Sequence, residues 1–530
     1  MAIFNMFRRK NDAALEFVES RRDNLVCFDI YAGGGGGAIG ALHCITSPAE
    51  ALLAAKEGTP KLTMPTTYVI DMDAGSKGIE KMSLTESRLN ALAIADENGR
   101  AFGYNNIINA AISTRLEGSK GEQTTINDMI ADDDLASKHM QNAVLTEEES
   151  LLPREVGGQG KPRLVEIWQS SVFKVESVED ILSRILRAFL DGKRVLVRIT
   201  GSATGATGAT FLNSLSQHIY YRCLRANDQL MDNLRIHSIV LLGYAVHPSG
   251  EDGDSGFKLD CTEDDLRVLN WYRNRRASGA DKCVNRTYFV NAAPALCYDR
   301  YARGGDQGRH YCLGDMLCLA AIKDSGETAF DHTMDGYRVF VPITNDERRF
   351  GWSHLSDSSF METYVNYLRF CAAVVLKLKP MTVVSHQEVS VAPHVVKMLG
   401  KNAPADMLEK RVITPIQAMI NIAEDALRAF MEIGASGTDW SGGVVTLTAE
   451  DTTLFNPYAI KSILNGDVPE KEVNAFDPDR LTEYTKGDGT ANIVRTDVTV
   501  GSAYNEAVSR ISRGAQAADF LVEFYRQLSI

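Results

Sequence analysis

LVCFDIYAGGGGGAIG, residues 25–40, is the stretch whose reading decides the fold. Leu25 to Tyr31 is a short run dominated by apolar and aromatic residues, the pattern of a strand buried on both faces in a parallel sheet. Gly33, Gly34, Gly35, Gly36 and Gly37 carry no Cβ, so they read as a loop whose backbone can approach a ligand closely. Ala38, Ile39, Gly40, Ala41 and Leu42 then open a helix, and a helix N-terminus presents unpaired N–H groups and a positive dipole end to an anion. The order is strand, glycine loop, helix.

The same order returns further along the chain. An amphipathic helix near 177–191 leads into the strand Arg194–Ile199 and the loop Gly201–Thr210, which holds Gly205, Ala206, Thr207, Gly208, Ala209 and Thr210. A helix from Phe211 and the strand Ile236–Tyr244 complete a βαβ unit, for which a right-handed crossover is expected. Between the two glycine stretches, Thr67–Ile70 reads as a strand ending in Asp71 and Asp73, so that carboxylates reach the carboxyl edge of the sheet. These units predict an α/β fold with a Rossmann-like parallel-sheet nucleotide domain.

The expected organisation follows from the surrounding segments. Residues 1–24 form a tail with a short helix near 12–22, and 25–261 form the nucleotide domain. A polar, charged insertion occupies about 115–163. Thr262, Glu263, Asp264 and Asp265 place an N-cap and acids at the start of a core helix over 262–278. A second α/β domain spans 279–450, with strands at 287–291, 338–343, 381–391 and 444–448 and helices near 358–377 and 405–434. Residues 451–530 are a C-terminal extension. Its final helix repeats Tyr504, Val508, Ile511, Ala515, Ala518, Val522 and Tyr525 at alternating spacings of four and three. That seam fits a helix packed on its own protein or one paired between two chains.

Composition bounds the function. At 530 residues, 44% hydrophobic and 24% charged, the chain is long enough for more than one core and has a globular balance. A net charge of -13 disfavours broad attraction to nucleic acid or anionic lipid, so no direct nucleic-acid partner is expected. Nine cysteines without C-x-x-C spacing fit buried thiols in a reducing cytoplasm. The charges of Arg8, Arg9 and Lys10 follow a short apolar run, the reverse of a signal peptide, and a soluble cytoplasmic protein without a membrane span is expected. None of the ten histidines has H-E-x-x-H or His/Cys ligand spacing, so no metal is held by protein groups alone.

Two glycine loops in parallel-strand context indicate phosphate binding, and three uses of such loops are separable. A Walker A loop is excluded, because no G-x-x-x-x-G-K-[S/T] occurs and Gly160-Lys161 is followed by Pro162. A dinucleotide reductase is suggested by the spaced glycines of 201–208. Against it, Ile236–Tyr244 ends in no acid for a ribose, and no tyrosine precedes a lysine by four positions. The third use is that of the tubulin and FtsZ superfamily, which the chain resembles over about 25–345, closest to its divergent bacterial members. Gly33–Gly37 resembles the first phosphate loop, Asp73 the acid of the loop after the second main strand, and Gly205–Thr210 the G-G-T-G-[S/T]-G signature. Ala206 and Thr210 depart from that signature.

The resemblance implies GTP or GDP as the ligand, with Mg²⁺ carried on its phosphates, and self-association into an oligomer or filament. It also implies that Asn270, beside Trp271 and Tyr272, reads the guanine; an exposed helix polar residue is the other reading. Hydrolysis in that superfamily uses acids following the core helix, which enter the next subunit. No Asn-x-Asp-Phe-Ala-Asp stands here, and Asp281 is the nearest candidate, equally readable as a turn aspartate bonding its own backbone. A nucleotide-binding scaffold without turnover and an NAD(P)-binding oxidoreductase are the competing functions. The run Arg300–His310 reads as a solvated loop or a phosphate or partner contact.

Overall fold

The computed structural model describes residues 24–57, 65–71, 77–95, 111–113, 145–147, 151, 176–203, 206–247, 270, 274, 281–299, 311–340, 358–382, 385–401, 403–435, 455–481 and 498–529. The expected N-terminal helix, Asp73, Gly205, the 300–310 run, the strand at 444–448 and nearly all of the 115–163 insertion lie outside these residues.

The protein is an α/β fold built on one parallel sheet. Its strands are β1 (Leu25–Ala32), β2 (Thr66–Asp71), β3 (Ala111–Ser113), β4 (Arg194–Ser202), β5 (Leu234–His247), β6 (Arg286–Asp299) and β7 (Gly336–Phe340), in the order β3-β2-β1-β4-β5-β6-β7. Every neighbouring pair is parallel. From Cys27 onward β1 is buried, and in β4 every residue after Arg194 is, as strands covered on both faces must be.

Helices cover both faces. On one side α3 (Glu176–Leu190) and α4 (Ala206–Ala226) press Ile185, Phe189, Phe211 and Leu215 against Phe28, Ile30, Val197 and Ile199. On the other side α1 (Gly33–Glu57), α2 (Lys77–Ala95) and α5 (Leu313–Glu327) lie between the sheet and an outer helical layer. That layer contains α6 (Ser358–Ala373), α7 (Thr414–Ala435), α8 (Val500–Arg510) and α9 (Ala517–Leu528). By length and composition α1 is apolar enough to cross a membrane, but most of it is buried inside the fold.

Several expectations are corrected. The strands near 287–291 and 338–343 do not found a second sheet: as β6 and β7 they continue the first, each hydrogen-bonded in parallel to its predecessor. Of the expected core helix 262–278, which falls in sequence between β5 and β6, only residues 270 and 274 are among the described residues, and both are helical. Met381–Val391 is helical where described, not a strand. Ser385 caps the helix His386–Ser390 by accepting from Glu388 N, and Glu388 accepts from Ser385 N at 3.0 Å, a local reciprocal cap that outweighs the β preference of the valines.

The C-terminal seam is two helices, not one. It breaks between α8 and α9 at a turn containing Gly514, whose φ of 83° is a left-handed value. Tyr504, Phe520, Phe524 and Tyr525 are buried in the chain's own core, where Phe520 stacks on His394 with ring centroids 5.0 Å apart.

Candidate functional site at the carboxyl edge

In this strand order β1 connects to its neighbour on one side, β2, while the next strand to join its other side is β4. The gap at the carboxyl ends of β1 and β4 is thus a topological switch point, where ligands bind in open α/β sheets. Both glycine stretches arrive there. The first is helix rather than loop, α1 beginning at Gly33 itself, and the second is helical from Ala206, ahead of the expected Phe211. Glycine-rich first turns have poor helix propensity, so tertiary packing holds them.

That packing sorts the glycines by role. Gly33 has a φ of 74°, and a Cβ on it would lie 3.1 Å from Gly208 N, so the two helix starts touch. A Cβ on Gly208 would meet Ser202 O at 2.8 Å and Ala32 O at 3.2 Å, and one on Gly36 would meet Thr200 O at 2.9 Å. Gly37 packs against Gly78 of α2, where a Cβ would meet Gly78 Cα at 2.9 Å, and brings a third helix start to the same place. Gly34 and Gly35 alone of the run are half-exposed, and only they leave backbone open at this point.

Neither α1 nor α4 has an acidic residue in its first turn, so no side chain there offsets the positive helix ends. Asp71 ends β2 as a buried carboxylate, and Thr207 Oγ1 donates to its Oδ1 at 3.4 Å. Thr207, Ala209 and Thr210 are buried in the first turn of α4, Thr210 the most completely. The arrangement presents N–H donors of converging helices beside one carboxylate and one hydroxyl, a geometry suited to an anion and to a polar group next to it.

Other expected site residues lie elsewhere. Asn270 is helical and exposed, in the β5–β6 crossover. Asp281 opens a 3-10 turn, Asp281–Cys283, that precedes β6 at the amino edge of the sheet. Arg286, five residues on, is only level with Arg198, four residues and about 13 Å short of Ser202. Within one chain Asp281 therefore does not reach the switch point. Among the described residues no group of three or more His, Cys, Asp and Glu could hold a metal ion.

Beneath the site runs a buried polar network that sequence reading missed. Asp29 and Arg198 are in register on β1 and β4, and the guanidinium donates to both carboxylate oxygens at 2.5 and 2.7 Å. Arg198 also donates to Ile322 O of α5 at 2.7 Å. Tyr31 OH and His43 Nδ1 are 2.6 Å apart, and His43 Nδ1 is 3.6 Å from Asp29 Oδ2. Burial, aided by Arg198 and opposed by Asp29, pushes the His43 pKa down to about 4, so the ring is neutral and Nδ1 accepts from the tyrosine. The available signal was one charged residue in each of two apolar strands, Asp29 in VCFDIY and Arg198 in VLVRIT. Comparison with protein-family models, with curated proteins and with solved structures gives no match to this chain.

Proposed function

We propose that the chain binds a purine nucleotide by its phosphates at the carboxyl ends of β1 and β4, with GTP the preferred ligand. The observation that carries this reading is the meeting of two helix starts at the switch point, Gly33 of α1 against Gly208 in the first turn of α4, with no acid in either first turn. Gly34 and Gly35 supply the open backbone, and Asp71 with Thr207 stands where a phosphate-bound Mg²⁺ or its water would be met. The preference for guanine rests on the tubulin and FtsZ resemblance, and so does self-association.

Turnover, in this reading, needs a second copy. Asp281 belongs to the opposite edge of the sheet and can act on the nucleotide only if a head-to-tail neighbour presents it. Binding without hydrolysis is the reading for an isolated chain. Asp281→Ala should leave nucleotide affinity unchanged and remove any turnover whose rate per chain rises with protein concentration; unchanged turnover would take Asp281 out of the mechanism.

One observation favours a dinucleotide instead. Asp71 ends the strand after the first glycine helix, and Gly35, Gly37 and Gly40 have G-x-G-x-x-G spacing, as in NAD-binding folds. Against this, the Asp71 carboxylate is engaged by Thr207 across the switch point, on the phosphate side rather than beside a ribose. The deciding experiment is to denature the purified protein, identify any released nucleotide by ion-exchange chromatography, and titrate GTP, ATP and NAD into apo protein by thermal shift. GTP-selective stabilisation is expected; NAD selectivity would establish the second reading, and no response to any of the three would remove both.

A further inference from the structure

Five consecutive glycines at the start of α1 leave the aim of its first-turn N–H groups undetermined by local propensity, since each glycine favours the helix less than any other residue but proline. The aim comes from tertiary contacts: the close approaches of Gly33, Gly36 and Gly37, and side-chain contacts further along the helix. Tyr367 OH holds the helix at Ile45 O, 2.9 Å away, and two of these contacts, nearest the glycines, are made by Tyr31. Its ring lies under Gly40, where a Cβ would meet Tyr31 Cγ and Cδ2 at 2.7 Å, so α1 sits directly on the ring. Its hydroxyl bonds His43 at 2.6 Å, one turn after Gly40.

His43 is in turn held from behind. Its Nδ1 is 3.6 Å from Asp29 Oδ2, and Asp29 is clamped by both arms of Arg198, which also donates to Ile322 O on α5. A chain of polar contacts thus runs from α5 through β4 and β1 into the third turn of α1. Only Tyr31, the penultimate residue of β1, stands near the carboxyl edge, and the whole chain of contacts is buried except a small part of the His43 ring.

We propose that Tyr31 and His43 are positioning residues that set the rotation of α1 about its axis and thereby aim the Gly34 and Gly35 N–H groups at the ligand. The ligand half of this statement rests on the nucleotide reading above; the anchoring half does not. Tyr31→Phe removes one oxygen and keeps the ring under Gly40. His43→Asn keeps an acceptor where Nδ1 stands, whereas His43→Leu keeps only bulk.

The test is amide hydrogen exchange of the full-length protein without ligand, followed by GTP titration of the same samples. In Tyr31→Phe and His43→Leu, exchange over residues 37–46 should quicken about ten-fold, the worth of one buried hydrogen bond, while α3 and α4 stay unchanged. His43→Asn should behave as the wild type. With GTP as probe, the first two variants should bind about ten-fold more weakly while melting only about 1 °C lower, and His43→Asn should do neither. Unchanged exchange over 37–46, or faster exchange spread evenly across the protein, would overturn the proposal. A wild type that ignores GTP while the exchange pattern appears as expected would sink the nucleotide reading and uphold the anchor.

Discussion

Replacing Gly208 and Gly35 separately by alanine divides the glycines into those that hold the fold and those that serve a ligand. At Gly208 the new Cβ would stand 2.8 Å from Ser202 O, 3.0 Å from Ser202 N and 3.2 Å from Ala32 O, all backbone atoms of strands paired on both sides. Backbone in the centre of a sheet cannot step aside cheaply, so the overpacking cost belongs at the upper end of its range, about 3 kcal/mol. Alanine recovers about 1 kcal/mol of helix propensity, leaving a net loss of about 2 kcal/mol. For a chain of this size that lowers the melting temperature by about 2 °C.

At Gly35 the nearest neighbour is a side-chain atom, Ser202 Cβ at 3.3 Å, which can yield by a few tenths of an ångström. Gly35→Ala should therefore melt within about 1 °C of the wild type, because helix propensity offsets the tight contact. Because Gly35 is half-exposed and supplies the open backbone, a methyl there narrows the ligand's approach, and the stabilisation by GTP, about 2.7 kcal/mol at a hundred times the dissociation constant, should be largely lost. Differential scanning fluorimetry with and without GTP reads both numbers. A Gly208→Ala protein as stable as the wild type would refute the close approach of α4 to β1, and an undiminished GTP response in Gly35→Ala would refute the assignment of the open backbone.

Two further outcomes are expected. Arg198→Met strands Asp29 as a buried carboxylate and should cost about 3–5 kcal/mol in urea denaturation, whereas Asp29→Leu with Arg198→Met should regain most of it; equal losses in both would show that packing, not charge, dominates there. Burial holds both His43 and His394 down to about 4, below the 6.5 of an unfolded histidine, so between those values the unfolded chain binds more protons and stability falls as the pH drops. Each histidine removes about 3 kcal/mol over that window, and His394→Phe should flatten the melting curve against pH; an unaltered slope would exclude it as a contributor.

Much of the first half of the fold was legible, and the reason is burial. VCFDIY and VLVRIT are strands enclosed on both faces, so their apolar character is continuous and cannot be mistaken for a surface pattern. The glycine runs were legible as belonging at strand ends and illegible as helix, because what makes Gly36, Gly37 and Gly208 helical is the approach of backbone from other elements. Nothing in a strand's own residues states which sheet it joins, and so β6 and β7 were assigned to a second one. The valines near Val389 point to a strand only until Ser385 and Glu388 are recognised as a cap. Asp71 was visible at the end of its strand, but its contact with Thr207 joins positions 136 residues apart and leaves no local mark.

The pairing of Asp29 with Arg198 also bears on how the chain is made. Their positions differ by 169 residues, so during synthesis at about 5–20 residues per second β1 leaves the ribosome on the order of ten seconds or more before its partner strand β4 exists. For that interval one edge of an apolar strand is open. A lone carboxylate in its middle is costly to bury without a cation, which discourages the strand from joining another apolar edge in the meantime. Arg198 supplies that cation only when β4 arrives, so the same charge pair that is buried in the finished sheet disfavours premature partners for β1 in the growing chain.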